Sequence, residues 1–275
     1  MSSIAHRLWN TTPKHLWEAV DRRIRPGRHR AVQPDWHTVQ GGPIRGAKLY
    51  LAPTAVDTWA QMVQGTFDQF FLDALVATRP LEGTTLWDIG SHFGYHALAF
   101  AALAGTKGKV IAFEPNPANQ ERIRANFEKN PELSCRIQLD PRAVSKSAGT
   151  AAFVFADELE SGLSSGSHLA DITTPHGDYA RFRRSEIPTI RIDDLIFSEN
   201  KPVPDVIKID VEGAETMVLE GSMQFFAKHH PVLLIEVHHI LQMFRVQNFL
   251  TERGYAIAIL DEEHATPGRC FILAK

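Results

Sequence analysis

The stretch TTLWDIGSHFGYHALAFAALAGTKGKVIAFEP, Thr84–Pro115, decides the fold class. TTLWDIG has the apolar run of a strand, and GYHALAFAALAG reads as a helix closed by Gly105. KVIAFEP is a second strand. The alternation then continues. NPANQERIRANFEKN predicts a helix with Asn116 as N-cap and Pro117 at its first position; Ile123 and Phe127 mark the buried stripe. CRIQLD and TAAFVFA are further strands. A polar segment rich in Ser and Gly, residues 157–188, interrupts the pattern and reads as a long loop. Beyond it come DVIKID (strand), EGAETMVLEG (helix), SMQFFAKH (short helix), PVLLIEV (strand) and HILQMFRVQNFLTERG (helix). YAIAILDE and RCFILAK form a closing strand pair. Such alternation predicts an α/β fold, doubly wound, with a mostly parallel sheet covered by helices on both faces.

Two units are expected. Residues 83–275 form the sheet domain. Residues 1–82 form a mainly helical N-terminal segment, a lid over the substrate or an oligomerisation element. Within it, DTWAQMVQGTFDQFFLDALVA places Phe67, Phe70, Phe71, Ala74 and Leu75 at helical spacing, which reads as core packing.

Composition narrows the class. The chain has 275 residues, 44% of them hydrophobic, enough for a sizeable core without disulfide staples. Its two cysteines, Cys135 and Cys270, lie in strand-like runs and are expected to be buried, reduced thiols. The N-terminus lacks the apolar region of a secretory signal, and no apolar run is long enough to span a bilayer. A cytoplasmic protein with no membrane partner is expected. The net charge of −3 gives no global attraction to nucleic acid, and RRIRPGRHR, Arg22–Arg30, reads as a solvated arm.

The turn LWDIGSHFGYHA carries the pattern D-x-G-x-x-x-G between a strand and a helix. Gly90 suits the tight turn and Gly94 the close approach of the helix. Asp88 precedes them, Ser91 and His92 fill the turn, and Glu114 ends the second strand just before Asn116. An acid at that place can accept hydrogen bonds from both ribose hydroxyls. A dinucleotide fingerprint would put a second Gly where His92 stands, to admit a pyrophosphate. Its absence favours a nucleoside with a short zwitterionic tail, such as S-adenosylmethionine, with Asp88 near the amino group. A nicotinamide-dependent oxidoreductase is the disfavoured alternative.

The later strands carry unexpected charge. Lys208 and Asp210 share one face of IKID, and Glu212 follows in the loop. A central parallel strand should read almost wholly apolar, so Lys208 needs an acid within reach, Asp210 or Glu236. PVLLIEVHH ends in Glu236 and His238. Asp210, Glu212, Glu236 and His238 are therefore the candidate catalytic residues, able to orient an acceptor hydroxyl and take its proton. A divalent metal is the lesser reading of this cluster, and no metal ligands are assigned. His96 reads as packing, and His229 and His230 as a helix C-terminus. RFRR, Arg181–Arg184, reads as a solvated run rather than a clamp for an acidic substrate.

In order, WDIGSHFGYHALAFA, VIAFEPNPANQERIRANF, RAVSKSAGTAAF, TIRIDDLI, VIKIDVEGAETMVLEG and PVLLIEVHH resemble the FkbM family of S-adenosylmethionine-dependent methyltransferases. The resemblance spans about Phe67 to Leu250. It implies a Rossmann-like, seven-stranded sheet with an antiparallel last strand, and O-methylation of a small molecule or sugar. It implies cofactor roles for Asp88, Gly90, Gly94 and Glu114, and puts Arg142–Val144, with Ala143 at the centre, beside the adenine. Asp210 matches the acid of the I-D-x-E-G-x-E signature, at the methyl-transfer site. Ser91-His92 departs from the Ala-Asn common in the family. A non-catalytic binding module is the remaining alternative. The acceptor stays open among sugar, polyketide, lipid and peptide, and a homo-oligomer is compatible with the unmatched N-terminal segment.

Overall fold

A computed structural model describes residues 34–51, 57–155, 168–169, 183–260 and 269–275. Strands β1 (Asp35–Thr38) and β2 (Lys48–Leu51) form an antiparallel hairpin. Helices α1 (Asp57–Gln64) and α2 (Gln69–Val76) follow. Next come β3 (Thr85–Ile89), α3 (Tyr95–Leu103), β4 (Lys109–Phe113), α4 (Pro117–Glu128), the one-turn α5 (Pro131–Ser134) and β5 (Ile137–Asp140). A second group comprises β6 (Ala143–Val144), β7 (Gly149–Phe155), β8 (His168–Leu169) and β9 (Arg183–Ile190). The chain ends with α6 (Ile192–Phe197), β10 (Val206–Ile209), α7 (Glu215–Glu220), α8 (Met223–Phe226), β11 (Val232–Val237), α9 (Ile240–Thr251), β12 (Ile257–Leu260) and β13 (Cys270–Ala274).

The main sheet has seven strands in the order β12-β13-β11-β10-β3-β4-β5. The pairs β5-β4-β3-β10-β11 are parallel, and β13 runs antiparallel to both β11 and β12. This is the doubly wound sheet expected from the sequence, with its antiparallel last strand. Strand order reverses between β3 and β10, and ligands in such sheets bind at the strand carboxyl ends beside that reversal. Each face buries its own core. One gathers Trp87, Phe113, Ile207, Ile209 and Phe225; the other gathers Leu86, Phe93, Leu98 and Phe100.

Three local expectations change. TAAFVFA does form β7, but in a separate four-stranded sheet of order β6-β9-β7-β8. The reason lies in residues read as loop: the end of the polar segment is β9, which pairs antiparallel with β7 over seven residues. Phe153, Phe155, Leu169 and Ile187 bury a small core of their own there. Next, Cys135 is exposed, because Pro131 starts a short helix that Cys135 caps, and the strand begins only at Ile137. Cys270 is half-buried in β13. Last, the helical run 57–77 divides at Gly65, whose φ is +79°. A Cβ there would lie 2.2 Å from the carbonyl oxygen of Gly41.

The described N-terminal residues hold a strand hairpin as well as helices. They share a core with the sheet domain: Leu49, Leu51, Trp59, Phe71 and Leu75 pack in one cluster with Leu86, Leu98 and Phe100. Two buried asparagines fasten the hairpin. The Tyr50 N–H donates to Asn126 Oδ1 at 2.8 Å and the Lys48 N–H to Asn130 Oδ1 at 2.8 Å. Asn126 Nδ2 donates in turn to the Phe93 carbonyl, at the mouth of α3. RRIRPGRHR lies outside the described residues. No helix among the described residues is long and apolar enough to cross a membrane.

Candidate active site

The β3–α3 turn is built by glycine. Gly90 has φ +85°, and a Cβ there would lie 1.8 Å from the Asp210 carbonyl oxygen. The Asp210 N–H donates to the Ile89 carbonyl at 3.0 Å, so the ends of β3 and β10 touch backbone to backbone. His92 also has positive φ, +52°. His and Asn tolerate that region better than most residues, which accounts for His92 where Asn is common. Its N–H donates to Glu114 Oε2 at 2.8 Å. Glu114 Oε1 accepts from the Asn116 N–H at 2.9 Å and from Asn119 Nδ2 at 3.3 Å. Burial nevertheless raises the Glu114 carboxyl to about 7, against these hydrogen bonds and with help from the Asp88 charge. Burial also lowers the His92 imidazole to about 4.

Beside Glu114 opens a cavity continuous with solvent. Phe113, Val144, Phe153 and Leu169 give it apolar walls, and Asp210 and Glu212 close its far end. Of the residues expected from the sequence, Gly90, His92, Glu114, Ala143, Asp210 and Glu212 line it. Arg142 lines it too, its guanidinium held by Asp140 at 2.6 Å and Glu199 at 2.5 Å. Asp88, Ser91, Gly94 and Asn116 are buried and do not line it. Asn119, Phe153 and Leu169 are additions that the sequence did not mark. No described residue before Ile89 contributes to the lining.

Asp88 is joined to the later strand by Lys208. It is fully buried and lies opposite Lys208 in the β3–β10 register. Lys208, 2% exposed, places its Nζ 3.2 Å from Asp88 Oδ1, 3.4 Å from Asp210 Oδ2 and 3.1 Å from the Gly90 carbonyl. Ser91 Oγ donates to Asp88 Oδ2 at 2.7 Å. Burial would lower the Lys208 pKa, but the charges of Asp88 and Asp210 outweigh it and raise it, so the ammonium persists. The expected acid partner is present in Asp210, and Asp88 adds a second.

The cluster at the ends of β10 and β11 assembles around His238. Its Nδ1 lies 2.8 Å from Glu215 Oε1, while its Nε2 faces Glu236 at 3.3 Å, Glu212 at 3.6 Å and Asp210 at 3.7 Å. All four candidates thus converge. Glu215 joins them from the first turn of α7, fully buried, and also accepts the Gly213 N–H at 2.9 Å. It is the last acid of I-D-x-E-G-x-E, and the charge of that signature was its only sign in the sequence. Glu212 takes φ +53° and Gly213 φ +101° in the connecting turn. Burial would lower the imidazole pKa, but Glu215, Glu236, Glu212 and Asp210 together raise it far above its ordinary value. Glu236 is raised by burial and by Asp210. Glu212 is raised toward about 7 by burial, a shift bounded by the 38% of its side chain left in water at the rim. Asp210 resists burial through Lys208 and stays below its ordinary value. His96 packs among Phe67, Phe71 and Tyr95, while His229 and His230 stack on Phe225 and Tyr255. Of RFRR, Arg183 and Arg184 belong to β9; Arg181 and Phe182 lie outside the described residues.

Residues 88–257 match the methyltransferase FkbM domain. The chain belongs to the FkbM methyltransferase family. It is 30% identical over 225 residues to the hexuronic acid methyltransferase AglP of Haloferax volcanii, covering 79% of this chain and 85% of that protein. Its fold is similar to the crystal structure of methyltransferase FkbM from Methylobacillus flagellatus KT, with a TM-score of 0.50 and 18% identity. That match covers 80% of this chain but spans only about half, 54%, of the other protein. As an FkbM-family member the chain is an S-adenosylmethionine-dependent methyltransferase. The cavity fits that cofactor: an ionisable acceptor, Glu114, stands at one end and apolar walls suit a purine.

Proposed function

We propose that the protein methylates an oxygen of a saccharide, and that the accepting sugar carries a carboxylate. The observation that carries this reading is the likeness to a hexuronic acid methyltransferase over most of both chains. The site's layout gives donor and acceptor adjoining places. Arg142 and Val144 follow the edge strand β5, Asp210 follows β10, and Glu236 and His238 stand at the end of β11, so the polar cluster meets the cavity at Asp210 and Glu212. In this reading Glu114 accepts the ribose hydroxyls and Phe113, Val144 and Phe153 enclose the adenine. Asp210 borders both halves. Bound there, S-adenosylmethionine supplies a methyl group on a positively charged sulfur that leaves readily. The protein then has mainly to position the acceptor oxygen and remove its proton. Glu212, at the rim and in the cavity lining, is the group we assign to take that proton. His238, held through Nδ1 by Glu215, serves to orient the carboxylates rather than as the base.

The test is a transfer assay on the purified protein with hexuronic-acid saccharides, neutral hexoses and non-sugar hydroxyls, read by mass spectrometry. Methylation of the acidic saccharides above the others is expected, with Glu212→Gln slowed by about a hundredfold or more. Alkali separates the products: an ether survives and identifies a hydroxyl acceptor, an ester does not and reassigns the oxygen to the carboxylate. Cofactor binding without turnover on any saccharide would overturn the proposal in favour of a binding module.

A further inference from the structure

We propose that Asp210, Glu236 and His238 form a binding site for a divalent cation of the Mn²⁺ type, placed to hold the oxygens of the acceptor. One ligand atom from each of the three lies within 4.8 Å of the others. The two nitrogens of His238 behave differently. Nδ1 lies 2.8 Å from Glu215 Oε1, the length of a charge-assisted hydrogen bond. A buried carboxylate on that nitrogen fixes the tautomer and turns the other nitrogen's lone pair outward, the usual arrangement behind a metal-bound histidine. Nε2 has no carboxylate that close. Its neighbours, from Glu236, Glu212 and Asp210, stand at 3.3, 3.6 and 3.7 Å. Divalent ions hold nitrogen and oxygen at about 2.0–2.2 Å, which spaces adjacent donors about 3.0–3.5 Å apart. The Nε2–Glu236 distance of 3.3 Å falls in that range, and the Asp210 distance of 3.7 Å lies just beyond it.

The surroundings agree. Lys208 takes Asp210 Oδ2, which leaves Oδ1 as the oxygen nearest His238. Arg269 reaches Glu236 Oε1 at 3.0 Å but is 51% exposed and can be displaced. A mixed set of imidazole and carboxylates suits Mn²⁺, with Mg²⁺ and Zn²⁺ as neighbours in preference. The cation also answers a difficulty in the proposed function, on which its role rests. Four carboxylates, from Asp210, Glu212, Glu215 and Glu236, would repel an acidic sugar; a dication among them gives the sugar's hydroxyl and carboxylate oxygens a place to bind.

The full-length protein, stripped with chelator, is titrated with MnCl₂ and followed by electron paramagnetic resonance. One Mn²⁺ per chain is expected, with nitrogen modulation in the pulsed spectrum that His238→Gln abolishes. Glu236→Gln is expected to weaken binding by about tenfold or more. Failure of the wild-type protein to bind Mn²⁺ at millimolar concentration, or binding without nitrogen modulation, overturns the site even if the variants do not fold. So does modulation that persists in His238→Gln. S-adenosylhomocysteine binding is measured on the same samples. If it is retained without Mn²⁺ uptake, the cation alone is overturned; if it is absent, the cofactor assignment fails instead.

Discussion

Glu114 receives three N–H donors and is still held near neutrality by burial. Its carboxyl is raised from 4.5 to about 7, so the folded chain holds this proton more tightly than the unfolded chain. The stability it contributes is present below about 4.5 and lost as pH rises through about 7. The ionised form is the better acceptor for ribose hydroxyls. Cofactor affinity should therefore rise as pH passes upward through about 7, and Glu114→Gln should flatten that rise and weaken binding by about tenfold. Calorimetry with S-adenosylhomocysteine on either side of neutral pH checks this; an equally steep profile in the variant would contradict it. Residues of this kind were legible: Glu114 and Gly90 stand at strand ends where local pattern assigns them a role. The pairing of Asp88 with Lys208 was not legible, because Lys208 lies 120 positions along the chain and only the register of β3 with β10 joins them.

Among the elements, β10 carries the strongest internal conflict, a charged lysine in a strand buried at all four positions. Lys208 resolves it by joining Asp88 on β3 to Asp210 at its own strand's end, and so ties together the two loops that meet at Gly90. Lys208→Met should destabilise the fold by about 3–5 kcal/mol, because Asp88 would remain buried without its cation. Lys208→Met combined with Asp88→Asn should regain a large part of that loss, since no buried charge is left unpaired there. Urea denaturation of the two variants measures the difference; equal stability would show that the pair is not coupled. The elements most poorly read from sequence were β8 and β9, and with them the separate sheet that β7 joins. Their small core is assembled by antiparallel pairing across the polar segment, and neither edge of that segment has enough apolar periodicity to mark the partner. Gly65 illustrates the same limit for helices: one residue at positive φ, facing Gly41, splits an otherwise continuous helical pattern.

At the scale of the molecule, the described residues before Thr84 share one core with the sheet domain. The hairpin β1–β2 and the helices α1 and α2 cover α3 and one face of the sheet, and Asn126 and Asn130 bond the hairpin from α4 and its C-terminal flank. A chain beginning at residue 83 should consequently expose this apolar face and lose cooperative unfolding. Size-exclusion chromatography and near-ultraviolet dichroism would show it; a monodisperse, cofactor-binding fragment would contradict it. What the sequence by itself determined was the strand–helix alternation, the glycine turn after the first sheet strand, the acid at Glu114 and the gathering of charge after Ile209, since each is written in residues near one another. Only the tertiary structure decided which charges meet. Lys208 finds Asp88 through strand order, and His238, just past β11, is centred among Asp210, Glu212 and Glu236 with Glu215 of α7 behind it. Such meetings depend on which strands are neighbours and in what register, and hydrophobic periodicity along one segment carries no record of the segment beside it.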